Sequence, residues 1–269
     1  MERQIDDTTL IKQSATADFH SWGAGYVLKL FLRDYPASLI DREIAGTRAA
    51  NASGVPSPRL EDIVTVAERR GLVLERVRGQ TMLSVLGQEP AHALRYAVLF
   101  AELQSQIHDC HVSELPSYRE DIARRVARAG VAASIRSDAL AMLERLPDGD
   151  MLCHGDLHPD NVLLTDRGPC IIDWSFAGAG QPLADAAQTA LLLRIADPPA
   201  GAFRVAWVER ETRERFYKGW LTRYRQLRPD TGEQMWNWLL PAAVARLAEG
   251  IPAEKPRLVA LIDKLHRKP

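Results

Sequence analysis

His154-Gly155-Asp156-Leu157-His158-Pro159-Asp160-Asn161, with Ile171-Ile172-Asp173-Trp174 downstream of it, is the stretch on which the reading of this chain turns. Between the two parts, Val162-Leu163-Leu164 predicts a strand, Thr165-Asp166-Arg167-Gly168 a turn and Cys170-Ile171-Ile172 the returning strand. A carboxylate followed five residues later by an amide lets one tight loop aim Asp156 and Asn161 at a common point, and the hairpin carries Asp173 back beside Asn161. Phosphoryl transfer needs this set: a carboxylate to orient the attacking hydroxyl, and oxygen ligands to hold metal on a triphosphate.

Two other readings of these residues stand beside that one. Turns favour Asp and Pro, so a plain surface turn is one. A metal hydrolase is the other, because His154, Asp156, His158, Asp160 and Asp173 include enough imidazole and carboxylate for zinc or a dinuclear pair. That reading runs short of ligands: only His266 lies downstream, and His20, His92, His108 and His111 are scattered upstream without paired spacing.

With 269 residues the chain can bury one large core or two modest lobes. Its 46% hydrophobic and 26% charged residues are those of an ordinary soluble globule, and a net charge of -1 gives no global attraction for nucleic acid or membranes. Cys110, Cys153 and Cys170 lack metal-type or redox spacing, and their odd number speaks against a disulfide framework, which points to a reducing cytoplasm. Met1 to Asp7 is acidic where a secretory or mitochondrial address would be basic, and no run approaches the length of a membrane span.

Phe19 to Trp22 and Tyr26 to Phe31 flank the turn Gly23-Ala24-Gly25 and predict a hairpin with Lys29 in its second arm. Ser38 to Asn51 carries helix formers, and Gly54-Val55-Pro56-Ser57-Pro58 stops them. Val64 to Glu68 and Gly71 to Glu75 predict a second strand pair, joined across Arg69-Arg70. After Gly79 the period becomes helical: Tyr96, Leu99, Phe100, Leu103 and Ile107 form one stripe, Tyr118, Ile122 and Val126 a second, Ile135, Ala139, Met142 and Leu146 a third. Helices return beyond the motif with Phe216, Trp220 and Tyr224, then Trp236 to Leu247, then Leu258 to Leu265, their aromatic residues reading as core. The class is α+β, a small sheet with one helix followed by a larger, mainly helical part.

The HGDxxxxN pattern with its apolar-apolar-Asp resembles the aminoglycoside phosphotransferase and choline kinase-like family, from about Ile11 to about Arg194. The resemblance implies a bilobal protein kinase-like fold, with an antiparallel-sheet N-lobe over residues 1–77 and a C-lobe over 78–269 that holds the catalytic loop, the metal site and the substrate-binding helices. It implies ATP (or GTP) and Mg2+, a small hydroxylated acceptor, and neither nucleic acid nor membrane as partner; the oligomeric state stays open. Val27-Leu28-Lys29-Leu30 matches the strand whose lysine contacts the nucleotide phosphates, and Glu43 matches the helix glutamate that holds this lysine. Asp41 and Arg42 beside it read as solvated helix face. Leu74-Glu75-Arg76-Val77 resembles the linker between lobes, where the Glu75 carbonyl and the Val77 amide would meet the purine edge. Asp156 would orient the substrate hydroxyl, and Asn161 and Asp173 would hold magnesium. Asp185 matches an aspartate that braces the catalytic loop, His154 reads as a second brace, and His108 as a packed or capping histidine.

One departure from the family pattern concerns the loop Lys12-Gln13-Ser14-Ala15-Thr16-Ala17, which has no glycine where members commonly use glycines to bring backbone amides close to phosphates. Either the Ser14 and Thr16 hydroxyls stand in for them, or the loop covers the nucleotide loosely and binding is weakened. The missing glycines also motivate a rival class, a nucleotide-binding regulatory or scaffold protein with little turnover; the presence of Lys29, Asp156, Asn161 and Asp173 favours the enzyme. From Gly201 to Pro269 there are 14 Lys plus Arg and 8 Asp plus Glu, and 14 − 8 = +6 favours a neutral or anionic acceptor over a polycationic one.

Overall fold

The computed structural model describes residues 9–195, 209–229, 232 and 234–267. Met1 to Asp7, part of the basic stretch from Gly201 and the last two residues of the basic terminus lie outside them. Strands β1 (Leu10–Gln13), β2 (Ala17–Ser21), β3 (Tyr26–Phe31), β4 (Leu60–Val66) and β5 (Arg69–Glu75) form one antiparallel sheet in the order β1-β2-β3-β5-β4. The helix α1 (Ala37–Ala52) lies in the connection between β3 and β4.

Strand alternation sorts the side chains of this sheet into two faces. Ala17, Phe31 and Leu72 join Ile40 and Ile44 of α1 in one cluster, while Leu28, Leu30, Val66 and Val73 form a second cluster with Trp22, Tyr26 and Val64. Lys29 shares the parity of Phe31 and therefore faces α1, with its ammonium 5.3 Å from the Phe31 ring centroid. The turn between β4 and β5 is Ala67-Glu68, two residues earlier than the expected Arg69-Arg70. Both turn residues have positive φ, 47° and 61°, as a two-residue hairpin of matching twist requires. Arg69 is drawn into the sheet instead, where its guanidinium donates to the Phe31 and Leu30 carbonyls and pairs with Asp18 at 2.6 Å.

The second part is mainly helical: α2 (Met82–Gln88), α3 (Ala93–Ile107), α4 (Tyr118–Arg128), α5 (Ala133–Arg145), α6 (Pro182–Ile195), α7 (Arg210–Leu227), α8 (Leu239–Leu247) and α9 (Lys255–His266). Phe100 and Ile107 of α3, Ile122 and Val126 of α4, and Phe216, Trp220 and Tyr224 of α7 are all buried in one continuous core, as the stripes predicted. The stripe of α5 is narrower than expected, with Ala139 and Leu143 buried and Met142 and Leu146 at the margin. Short strands carry the motif: β7 (Met151–Cys153) pairs with β10 (Gly178–Gly180), and β6 (Gln80–Thr81), β8 (Val162–Thr165) and β9 (Gly168–Ile171) form a three-stranded sheet. Among the described residues no helix is long and apolar enough to cross a membrane.

Candidate active site

Lys29 Nζ lies 2.5 Å from Glu43 Oε1 and 3.7 Å from Asp173 Oδ1, joining β3, α1 and the end of the motif hairpin in one cluster. Burial works against the lysine charge, but the carboxylates of Asp173 and Glu43 outweigh it and raise its pKa, so Lys29 stays protonated. For Glu43 burial dominates and pushes the carboxyl up, with Lys29 pulling the other way. Asp173 is held below the usual carboxylate range because Lys29 and the Ser175 hydroxyl outweigh burial. The Ser175 hydroxyl stands 2.8 Å from Glu43 Oε2 and 2.6 Å from Asp173 Oδ1, so it bridges the two carboxylates. This closeness depends on Gly46 of α1, where a Cβ would sit 2.6 Å from Ala177 Cβ and 2.9 Å from the Trp174 carbonyl. Asp173 has φ 66°, the left-handed region that non-glycine residues rarely enter, an outlier of the kind found at functional sites.

The loop between β7 and β8 presents Asp156 and Asn161. The Asn161 amide donates to the Asp156 carbonyl at 2.9 Å, leaving its own oxygen available, and the Ile172 amide donates to the Asn161 carbonyl at 3.0 Å. Asp173 is thereby set next to Asn161, as the hairpin predicted. Gly155, at φ 81°, sits where a Cβ would be 2.4 Å from the Phe176 carbonyl, so the glycine of the motif is a steric requirement.

Braces surround the loop on its buried side. Asp185 of α6 accepts from the His154 and Gly155 amides at 3.1 and 2.7 Å and from His108 Nε2 at 2.9 Å. Burial acts against its charge, but His108 and the loop amides outweigh burial and keep it ionised. Burial lowers the pKa of His108, which as neutral imidazole receives the Tyr224 hydroxyl at Nδ1 over 2.7 Å. His154 is also held neutral by burial: its Nδ1 accepts from the Asp156 amide and its Nε2 donates to the Ile172 carbonyl. Trp220 donates to Gln104, Gln104 to Thr189 and Thr189 to the Leu157 carbonyl, so an aromatic residue of the core also props the loop.

Sequence reasoning missed the partners of the Asp156 carboxylate. Arg246 Nη1 lies 3.5 Å from Asp156 Oδ1, and His158 Nε2 lies 3.5 Å from Oδ2. Burial pulls the His158 pKa down, but Asp156 and Asp160 outweigh it and raise it. Arg246 also grips both oxygens of Glu254 at 2.8 and 2.9 Å and one of Glu249 at 2.6 Å. Glu249 continues to Arg125 at 3.1 Å, Arg125 to Asp121 at 2.9 Å, and Asp121 to Arg42 at 2.7 Å. Arg42 is therefore no solvated residue: its side chain is 12% exposed and ties α1 to α4, while its neighbour Asp41 meets Arg70 at the surface. The i, i+4 spacing of Asp121 and Arg125 was visible in the sequence; their convergence with residues far along the chain was not.

The remaining predicted site residues lie nearer the margin. The Ser14 hydroxyl accepts from the Thr16 and Ala17 amides, donates to the Ala17 carbonyl and stands 3.4 Å from the Thr16 hydroxyl, so this glycine-free turn is closed by its own serine. Glu75 ends β5; its amide donates to the Arg59 carbonyl and its carboxylate pairs with Arg167 at 2.7 Å. Val77 follows in an irregular segment, after Arg76 donates to the Gly25 carbonyl.

Asn161 and Asp173, on segments joined by the bond from the Ile172 amide to the Asn161 carbonyl, offer an amide oxygen and an ionised carboxylate, hard oxygens of the kind that suit Mg2+, which takes few protein ligands and completes its shell with phosphates and water. The zinc or dinuclear reading fails on the same geometry. Both nitrogens of His154 and both of His158 are committed to the loop and to Asp156, and among the described residues no group of three or more His, Cys, Asp or Glu side chains could hold a metal ion.

A kinase-like sheet with a lysine–glutamate pair above an aspartate–asparagine loop defines the class of protein. Residues 12–229 match the phosphotransferase enzyme family (APH), and the chain belongs to that family of small-molecule phosphotransferases. It is 32% identical over 200 residues to an aminoglycoside 3'-phosphotransferase of Streptomyces fradiae, covering 65% of this chain and 73% of that one. It is 27% identical over 181 residues to human acyl-CoA dehydrogenase family member 11, a match that covers 58% of this chain and 23% of that protein. The fold is that of aminoglycoside phosphotransferase APH(4)-Ia in ternary complex with AMP-PNP and hygromycin B, at TM-score 0.67 and 16% identity over 97% of this chain and 93% of that one. It is also that of a choline/ethanolamine kinase family protein from Mesorhizobium loti, at TM-score 0.53 and 17% identity over 97% and 88%.

Proposed function

We propose that this chain transfers the γ-phosphoryl group of ATP to a hydroxyl of a small, non-polycationic molecule, with Mg2+ as the metal. The observation that carries the reading is the meeting of the buried Lys29–Glu43 pair with the partly exposed Asp173, beside the loop that presents Asp156 and Asn161. In this reading Lys29, oriented by Glu43, holds the phosphates, and Asn161 and Asp173 hold the metal. When bound, the metal neutralises charge on the triphosphate. Asp156 orients the acceptor hydroxyl and takes its proton as the new O–P bond forms and the bond to the leaving ADP breaks. Positioning outweighs proton abstraction in so loose a transition state. The lobes would divide at residues 77 and 78, with Glu75 and Val77 supplying backbone groups to the purine edge, and the setting would be the cytoplasm.

Support for the acceptor class comes from the residues around Asp156. The nearby carboxylates Glu249, Glu254 and Asp121 are each paired with an arginine, which leaves the ammonium groups of a polycation without counter-charges there. The test is Mg2+-dependent ADP release with a panel of hydroxylated small molecules, neutral, anionic and polycationic. Turnover with neutral or anionic alcohols and loss of it in Asp156→Ala is the expected result. Efficient phosphorylation of a polycationic aminoglycoside, weakened by salt, would overturn the acceptor assignment; nucleotide binding without turnover on any alcohol would overturn the activity.

A further inference from the structure

Asp156 hangs from a short loop by a side chain with two soft torsions, yet a transfer that relies on positioning needs its carboxylate held still. The braces supplied by Asp185, His154 and Asn161 all act on the loop backbone. Among the described residues two side chains address the carboxylate itself, His158 from the same loop and Arg246 from α8. Of the two, Arg246 is the rigid one. Its Nε and Nη2 lie along both oxygens of Glu254, itself 1% exposed, so the planar fork cannot turn, and the direction of Nη1 toward Asp156 is fixed.

We propose that Arg246 is a positioning residue for phosphoryl transfer, a guanidinium clamp that sets the orientation of the Asp156 carboxylate toward the acceptor hydroxyl. The proposal rests on the reading of Asp156 as the residue that meets that hydroxyl. At 3.5 Å the contact is longer than a full hydrogen bond, so the clamp steers the carboxylate while leaving its lone pairs open to the acceptor. Arg246 is anchored in turn through Glu249, Arg125 and Asp121 to Arg42, the neighbour of Glu43 on α1. One chain of charges therefore spans from the helix that holds Lys29 to the carboxylate that meets the acceptor. Lysine could not replace the arginine, because a single ammonium cannot hold Glu254 at two points and reach Asp156 as well.

The experiment measures ATP hydrolysis with water as the acceptor and AMP-PNP binding by calorimetry, both with Mg2+, in Arg246→Ala, Asp156→Ala and the double variant. Arg246→Ala is expected to lower kcat roughly tenfold to hundredfold, to leave KM for ATP and AMP-PNP affinity within about twofold, and to regain part of kcat with millimolar guanidinium ion. In the Asp156→Ala background the same substitution should cost nothing further, since it acts through that carboxylate. If Arg246→Ala fails to fold, Arg246→Met joined to Glu249→Gln and Glu254→Gln removes the clamp without stranding buried carboxylates and carries the same expectation, guanidinium rescue apart. An equal loss in both backgrounds, an unchanged kcat, or a rise in KM for ATP alone overturns the clamp. If Asp156→Ala itself hydrolyses ATP at the normal rate while AMP-PNP still binds, the reading of the loop falls and takes the clamp with it.

Discussion

The Lys29 end and the Asp156 end of the site solve the same physical problem in different ways. At the Lys29 end one buried ammonium faces two carboxylates, Glu43 and Asp173, and the excess negative charge is left on Asp173, whose side chain is 42% exposed. At the Asp156 end Arg42, Arg124, Arg125 and Arg246 pair with Asp121, Glu249, Glu254 and Asp156, four cations to four carboxylates. The first arrangement is incomplete in a way that invites a cation carrying phosphate; the second is satisfied within itself and leaves little for an acceptor's charges to pair with. In the proposed reading, the generic chemistry sits where charge is left open, and selectivity where it is closed.

The sharpest way to break this contrast is Asp156→Ala. If this carboxylate faces the acceptor, as proposed, its removal should lower transfer on the order of a thousandfold, while AMP-PNP affinity changes by no more than about twofold, because the proposed triphosphate site lies at the Lys29 end. Steady-state turnover on the accepted alcohol, with AMP-PNP titrated calorimetrically, reads both. A variant that lost nucleotide affinity and turnover together would merge the two ends into one.

At the open end Asp173→Asn replaces an ionised oxygen ligand by a neutral amide. Its cost should reach at least the roughly tenfold to hundredfold that losing even an outer-shell partner of a metal ligand produces, and it should appear only in the metal-dependent part of nucleotide binding. Asn161→Ala should act in the same direction and more gently. Titrating nucleotide with and without Mg2+ separates these effects, and an unchanged metal dependence in Asp173→Asn would move the metal elsewhere.

The closed end should reveal itself in stability. Asp121→Asn leaves Arg42 and Arg125, each 12% exposed, without their shared carboxylate, and stranding buried charge typically costs about 3 kcal/mol. Urea unfolding at constant m reads this directly. Arg33→Ala, which cuts the exposed pair with Glu68, is the control and should leave the midpoint where it was. Equal effects from the two substitutions would mean that the chain of arginines is surface decoration.

What could be read from the sequence follows the same division. Asp156, Asn161 and Asp173 lie within eighteen residues of one another, Lys29 and Glu43 within fifteen, and local turn and strand signals suffice to bring each set together. The stripes of α3, α4 and α7 were legible because burial imposes a helical period on them. Arg246 had no such signal: its partners Glu249 and Glu254 are near in sequence, but Asp156 is 90 residues away, and only the packing of α8 beside the loop brings them together. Arg42 misled for a related reason, since an arginine in a helix looks the same whether water or Asp121 receives it. The turn at Ala67-Glu68 was displaced by the pull of Arg69 on the Phe31 and Leu30 carbonyls, a contact across 38 and 39 residues.

The smallest expected effect concerns Glu249, where the closed end meets pH. Burial pushes its carboxyl up to about 7, against the pull of Arg246 and Arg125, from an ordinary 4.5. The folded chain then keeps a proton over a range in which the unfolded chain has released it. Stability from this group is therefore fully present below about pH 4.5, declines as pH rises, and is gone above about 7. The full displacement would be worth about 3 kcal/mol, and with the side chain 16% exposed and two arginines competing, an amplitude of about 1 kcal/mol is expected. His158, whose raised pKa acts in the same sense, and His108 and His154, whose lowered pKa values act in the opposite one, titrate in wild type and variant alike, so the difference between the two isolates Glu249. Urea midpoints for wild type and Glu249→Gln, taken at intervals from pH 5 to pH 8, should show wild type losing stability relative to the variant as pH rises. A flat difference would mean that the two arginines hold Glu249 ionised throughout, and that the closed chain is indifferent to pH.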